Sequence, residues 1–125
     1  MTRKVVTTDE APPPGGPYSS AVVAGGLIFL AGQTPRRPDG TLVRGTFAEQ
    51  ADQVFDNLEA VAWAAGASLA DAVRVGVYLR DMGDFGELNR IFAQRFGDQP
   101  PARTTVPADL QGFAIEVDAV LELPG

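Results

Sequence analysis

A chain of 125 residues is long enough to bury one sizeable core, and ten Lys and Arg against sixteen Asp and Glu give it a formal charge of −6. That is the wrong sign for a protein that grips phosphodiester backbones, so no nucleic-acid partner is expected. With no His and no Cys, thiol nucleophiles, disulfides, Cys/His zinc sites and imidazole bases are excluded together, and any chemistry falls to carboxylate, arginine, hydroxyl or backbone groups.

The first segment, "MTRKVVTTDEAPPPGGPYSS", has a basic pair but no apolar run behind it, and therefore lacks the pattern of a secretory signal. The longest apolar run, Leu27 to Gly32, is far too short to cross a bilayer. One domain over 1–125, soluble and cytoplasmic with no membrane partner, is the expectation. Pro12 to Pro17 reads as a rigid entry loop. "SSAVVAGGLIFLAGQ" reads as a β-hairpin, since Gly25-Gly26 tolerates the positive φ of a tight turn. "RRPDGTL" is turn chemistry, with Arg36-Arg37 as its decoration.

A helix follows. Thr46 and Glu49 have capping-box spacing, Ala51, Val54, Phe55, Leu58, Val61, Ala62 and Ala65 mark one face, and Gly66 ends it. Ser68 to Asp71 repeats the cap spacing for a short turn, and "VRVGVYL" alternates Val73, Val75, Val77 and Leu79 against Arg74, Gly76 and Tyr78, as a strand does. "DFGELNRIFAQRFG" reads as a second helix, opening on Asp84 with Glu87 three residues later and stopping at Gly97. "RTTV" and "AIEVDAVLEL" complete a ββαβαββ order, an α+β fold with two helices on one face of a sheet.

In Leu27–Gly32 both alternating sets are apolar, the pattern of a strand buried on both faces. Two helices cover only one face, so the other predicts a second copy of the chain and hence a homo-oligomer. Two charges stand out near the carboxy-terminal end. Arg103 follows a Pro-Pro-Ala turn, and Glu116 shares the second face of the last strand with Asp118. If their two segments are neighbouring strands, both can face a crevice at a subunit boundary, the arginine offering a planar fork to a carboxylate and the glutamate an acceptor for a proton. A structural ion pair, or two solvated charges, fits the same residues. Tyr18, behind Gly16-Pro17, is likewise either packing or part of a site.

Six segments in register, "GGPYSS", "LIFLAGQTP", "EQADQVFDNLEAVAWAAGASLADAV", "VYLRDMGDFGELNRIF", "PPARTTV" and "IEVDAV", resemble the successive signatures of the YjgF/RidA family, the reactive intermediate deaminases. The resemblance implies a chorismate-mutase-like fold, homotrimers with intersubunit clefts, no cofactor and no metal. It also implies hydrolysis of enamines and imines such as 2-aminoacrylate to the 2-keto acid and ammonia. It places Arg103 on the substrate carboxylate, Glu116 on water, and Tyr18, Gly32, Asn89 and the Thr105 backbone along the cleft.

The chain departs from the family pattern at Ala31, where serine is usual, at Ser20, where glutamine is usual, and at Thr105, where many members have cysteine. The alternative function is a non-catalytic module that binds small carboxylates such as keto acids through Arg103.

Overall fold

Helix α1, Phe47–Ala64, forms as its sequence dictates. Thr46 Oγ1 accepts from the Glu49 N–H (3.2 Å) while Glu49 Oε1 accepts from the Thr46 N–H (2.8 Å), which closes the capping box. At the other end Gly66 takes a φ of +93°. Its N–H donates to the Trp63 carbonyl at 3.0 Å and that of Ala67 to the Ala62 carbonyl at 2.9 Å, a Schellman end. The computed structural model describes residues 3–125; Met1 and Thr2, which begin the segment that lacks a signal run, lie outside the described residues.

Three strands precede α1: β1 (Lys4–Val6), β2 (Ala21–Ala24) and β3 (Leu27–Gln33). Then come β4 (Ala72–Leu79), α2 (Phe85–Phe96), β5 (Ala102–Pro107) and β6 (Ile115–Glu122). The sheet order is β1-β2-β3-β6-β4-β5, with β4 and β5 parallel and every other pair antiparallel. Gly25 and Gly26, at φ +60° and +77°, turn the β2–β3 hairpin.

The core lies between this sheet and the helices. Ile28 and Leu30 of β3, Val75, Val77 and Leu79 of β4, and Ile115, Val117 and Leu121 of β6 are buried, together with Val54, Phe55 and Leu58 of α1 and Leu88 and Ile91 of α2.

Two expectations are corrected, one strand is added and one condition is not met. The strand β1 was not foreseen, because three residues are too few to show a period. Val73 is 46% exposed instead of inward-facing. It is an extra residue between Ala72, opposite Leu121, and Arg74, opposite Val120, and such a bulge reverses the facing of the side chain that it inserts. Asp84 makes no side-chain cap bond. The cap is Asp81, whose Oδ1 accepts from the Gly83 N–H (2.8 Å) in the short turn Met82–Asp84 before α2. Finally β5 and β6 are not neighbours, since β4 runs between them.

Two polar side chains on the buried stripe of α1 set the geometry around the sheet. Gln50 Oε1 accepts from the Ala114 N–H (2.8 Å), which anchors the start of β6. Asn57, 1% exposed, donates through Nδ2 to the carbonyls of Arg36 (2.8 Å) and Thr34 (3.3 Å), fastening the segment beyond β3 onto the helix. Replacing Asn57 by Leu leaves both carbonyls short of a donor. The expected cost is roughly 1–3 kcal/mol, seen as a lowered Tm in calorimetry, and an unchanged Tm would mean that these carbonyls find other donors.

The face of the sheet away from the helices is open. Val5, Val22, Phe29 and Val120 stand opposite one another along β1, β2, β3 and β6 and form one apolar row. Phe29 is 45% exposed there.

Candidate functional site

The six residues expected at the site fall into two groups, and the sheet separates them. Arg103 stands opposite Val75 across the parallel β4–β5 pair, so it shares the helix-side face with that buried valine. Glu116 stands opposite Tyr78 across the β4–β6 pair, on the open face. The two positions are three residues apart along the strands and two strand spacings apart across them, roughly 10 Å in each direction. One chain therefore does not bring Arg103 and Glu116 together.

The arginine group is built against α2. Arg103 Nη2 donates to Asn89 Oδ1 at 2.7 Å, and the guanidinium carbon lies 4.7 Å from the centre of the Phe92 ring and 5.4 Å from that of Phe85. Two rings hold the planar cation by their quadrupoles and shield one side of it from water. Burial lowers the Arg103 pKa from its usual value, yet a guanidinium keeps its charge in any protein setting. Its partner is a neutral amide, and among the described residues no carboxylate comes within salt-bridge reach of it. Thr105 follows on the same face of β5, and its buried Oγ1 has no hydrogen-bond partner among the described residues. A hydroxyl in that state is open to a water or a ligand.

The glutamate group lies in a pocket of about 260 Å³ whose wall includes Tyr18, Gly32, Arg36 and Glu116 and the segment Pro12–Pro14. Its shape comes from a bulge: β3 fits one extra residue against β6 between Leu30, opposite Ala119, and Gln33, opposite Val117. Ala31 and Gly32 occupy that irregular stretch. A Cβ at Gly32 would run into Oε2 of Glu116, so glycine is what leaves the carboxylate its place. Tyr18, 54% exposed, accepts from the Gly15 N–H through its hydroxyl (3.1 Å), which folds the Pro/Gly loop back over its own ring. Ser20 is buried on the same wall.

Glu116 is only partly buried, and among the described residues no protein hydrogen bond reaches its carboxylate. Burial first, and the charge of Asp118 second, raise its pKa above the ordinary glutamate value. Asp118 is itself held by the Tyr78 hydroxyl, which donates to Oδ2 at 3.0 Å and whose own pKa is raised chiefly by that bond. A carboxylate poised in this way is suited to exchanging protons with whatever enters the pocket.

Sequence reasoning missed Arg36 and Asn57. It assigned Arg36 to the decoration of a turn, whereas the structure sets it in the wall of the Glu116 pocket. The signal for Asn57 was available: it lies three residues after Val54 and four before Val61, on the apolar stripe of α1. Among the described residues no group of three or more acidic side chains is placed to hold a metal ion, and no helix is long and apolar enough to cross a membrane.

Two helices on one face of this mixed six-stranded sheet make a chorismate-mutase-like fold. The sequence model of the family described as Endoribonuclease L-PSP matches residues 8–122, and the chain belongs to that family, in which RidA and YjgF are also found. A RutC family protein of Pyrococcus horikoshii is 43% identical over 121 residues, covering 94% of this chain and 96% of its own length. RidA from an Antarctic Psychrobacter is 37% identical, with a TM-score of 0.89 over 95% of this chain and 98% of its own. The YjgF gene product of E. coli is 32% identical, with a TM-score of 0.85 over 95% and 98%.

Proposed function

We propose that this protein hydrolyses reactive enamines and imines of the 2-aminoacrylate type to 2-keto acids and ammonia, in clefts shared between the copies of a homotrimer. The observation that carries the reading is Glu116, a partly buried carboxylate with a raised pKa, facing a pocket and lacking a protein donor. Its complement is Arg103, an aromatic-backed cation without an acid, on the other face of the same sheet. Because one chain keeps them apart, the cleft takes Arg103 from one copy and Glu116 from the next. The apolar row on the open face supports that association, and the number three comes from the family resemblance.

In the reaction the enamine first tautomerises to the imine, whose C2 is electrophilic. Arg103 holds the substrate carboxylate through its fork, with Asn89 fixing the guanidinium from behind. Glu116 takes a proton from water as the water oxygen bonds to C2 and the C=N π electrons move to nitrogen. Glu116 returns that proton to the nitrogen to give the neutral carbinolamine, which collapses as Glu116 takes the hydroxyl proton and passes it to the nitrogen while the C=O bond forms, the C–N bond breaks and ammonia leaves. Orientation and modest acid–base help suffice for so activated an electrophile.

The family description speaks of an endoribonuclease. A net charge of −6 and the lack of histidine weigh against that activity in this chain. The binding-module alternative rests on Arg103 alone, which holds a keto acid whether or not anything is turned over.

The test is turnover. A pyridoxal-phosphate lyase acting on serine supplies 2-aminoacrylate, and pyruvate release is expected to accelerate when this protein is added. Unchanged release, together with measurable binding of pyruvate, would leave the binding module as the better account. Sedimentation of the same sample checks the assembly, and a stable monomer at micromolar concentration would remove the shared cleft.

A further inference from the structure

We infer that Arg36 reads a second carboxylate on the substrate, so that the preferred substrates are imines of amino acids with an acidic side chain. This rests on the deaminase reading for its reaction and on the pocket alone for its ligand class. Among the described residues Arg36 is the one basic residue in the wall of the Glu116 pocket. Nη1 donates to the Gly40 carbonyl at 3.0 Å, and a guanidinium has further donors in the same plane. Among the described residues no carboxylate lies within salt-bridge distance of it.

Its backbone does not wander. The Arg36 carbonyl accepts from buried Asn57 (2.8 Å), the Arg36 N–H donates to Thr34 (2.7 Å), and Arg36 bridges to Leu42 across the turn. Arg36 is thus held from a fixed base in the wall of the pocket that Glu116 also lines.

Charge decides what this adds. A substrate with one carboxylate places that group on Arg103 and leaves Arg36 to water. A substrate with two would bring its second negative charge toward Glu116, and an unpaired approach of that kind is unfavourable. Arg36 removes the penalty and replaces it with a charge-assisted bond. Pro12–Pro14, in the same wall, have no N–H to offer in its place. The part of the cleft that one chain supplies, about 260 Å³, has room for a small organic acid.

The experiment compares 2-iminoglutarate and 2-iminopropanoate, each made in place from its amino acid by an amino-acid oxidase, together with calorimetric binding of 2-oxoglutarate and 2-oxobutanoate. Wild type is expected to favour the dicarboxylic member of each pair. Arg36→Gln is expected to lower the ratio of kcat/KM between the two imines, and the ratio of the two binding constants, by about 10- to 100-fold. Arg36→Lys should restore part of both ratios. Arg37→Gln is the control: Arg37 bonds the Thr41 hydroxyl (3.3 Å) and backbone of the turn, does not line the pocket, and should leave both ratios in place.

Equal handling of the two acids by wild type overturns the inference, as does an Arg36→Gln protein with unchanged ratios or one whose only change is its sedimentation. If neither imine is turned over but the binding ratio still collapses in Arg36→Gln, the deaminase reading fails while the dicarboxylate site stands.

Discussion

Glu116→Gln is expected to lower kcat by about 10²-fold or more, the usual scale for a positioned acid–base group. The amide keeps the size of the side chain and one acceptor oxygen, and loses the atom that takes the proton from water. Oε2 sits against Gly32, where a Cβ would meet it in this rotamer, and the isosteric amide enters the same space without displacing β3. Keto-acid binding should stay near that of the parent protein, which separates lost chemistry from lost recognition.

The pH dependence gives a second readout. Burial and Asp118 raise the Glu116 pKa, so the protonated form, which cannot act as the base, persists to higher pH than for an ordinary glutamate. The acid limb of kcat/KM is therefore expected at higher pH than an ordinary glutamate would give in the parent protein and is absent in Glu116→Gln. Full turnover by that variant would make Glu116 a structural carboxylate.

Arg103→Lys is expected to raise KM for substrates bearing a carboxylate by at least about 10-fold, with a smaller fall in kcat. Lysine keeps the positive charge and gives up the plane. The stack over Phe92 at 4.7 Å depends on a flat guanidinium, and the 2.7 Å bond to Asn89 fixes its plane. Steady-state kinetics on a carboxylate-bearing imine and on its amide analogue would check it: the analogue should be little affected, and equal losses on both would move Arg103 from recognition to support of β5.

How much of this the sequence carried depends on the range of the interaction. The ends of α1 are local events, spelled out by Thr46, Glu49 and Gly66, and the structure has them as expected. The same holds for the β2–β3 hairpin and for Ser68 and Asp71. Sheet order is not local. The parallel β4–β5 pair is closed across α2, and nothing in the pattern of either strand says that β4 enters between β5 and β6.

Alternation also cannot register an inserted residue, which is why Val73 was assigned to the wrong face and why the bulge that seats Glu116 went unread. For the site, family resemblance named the residues and the structure sorted them. Arg103 bonds Asn89 and shares its face with Thr105, whereas Tyr18, Gly32 and Glu116 share a pocket elsewhere. Arg36 escaped because a basic pair in a Pro-Asp-Gly turn has the same composition whether or not it borders a cavity.

The separation of the two charges by the sheet has a consequence for the life of the chain. On the shared-cleft reading, a newly made copy is an arginine without a carboxylate and a carboxylate without an arginine, inert toward imines on both faces. Activity then begins at the moment of encounter, not at the completion of folding, and its onset rises more steeply than linearly with the number of chains. Below the concentration at which copies associate, a cell would hold folded chains but little working protein.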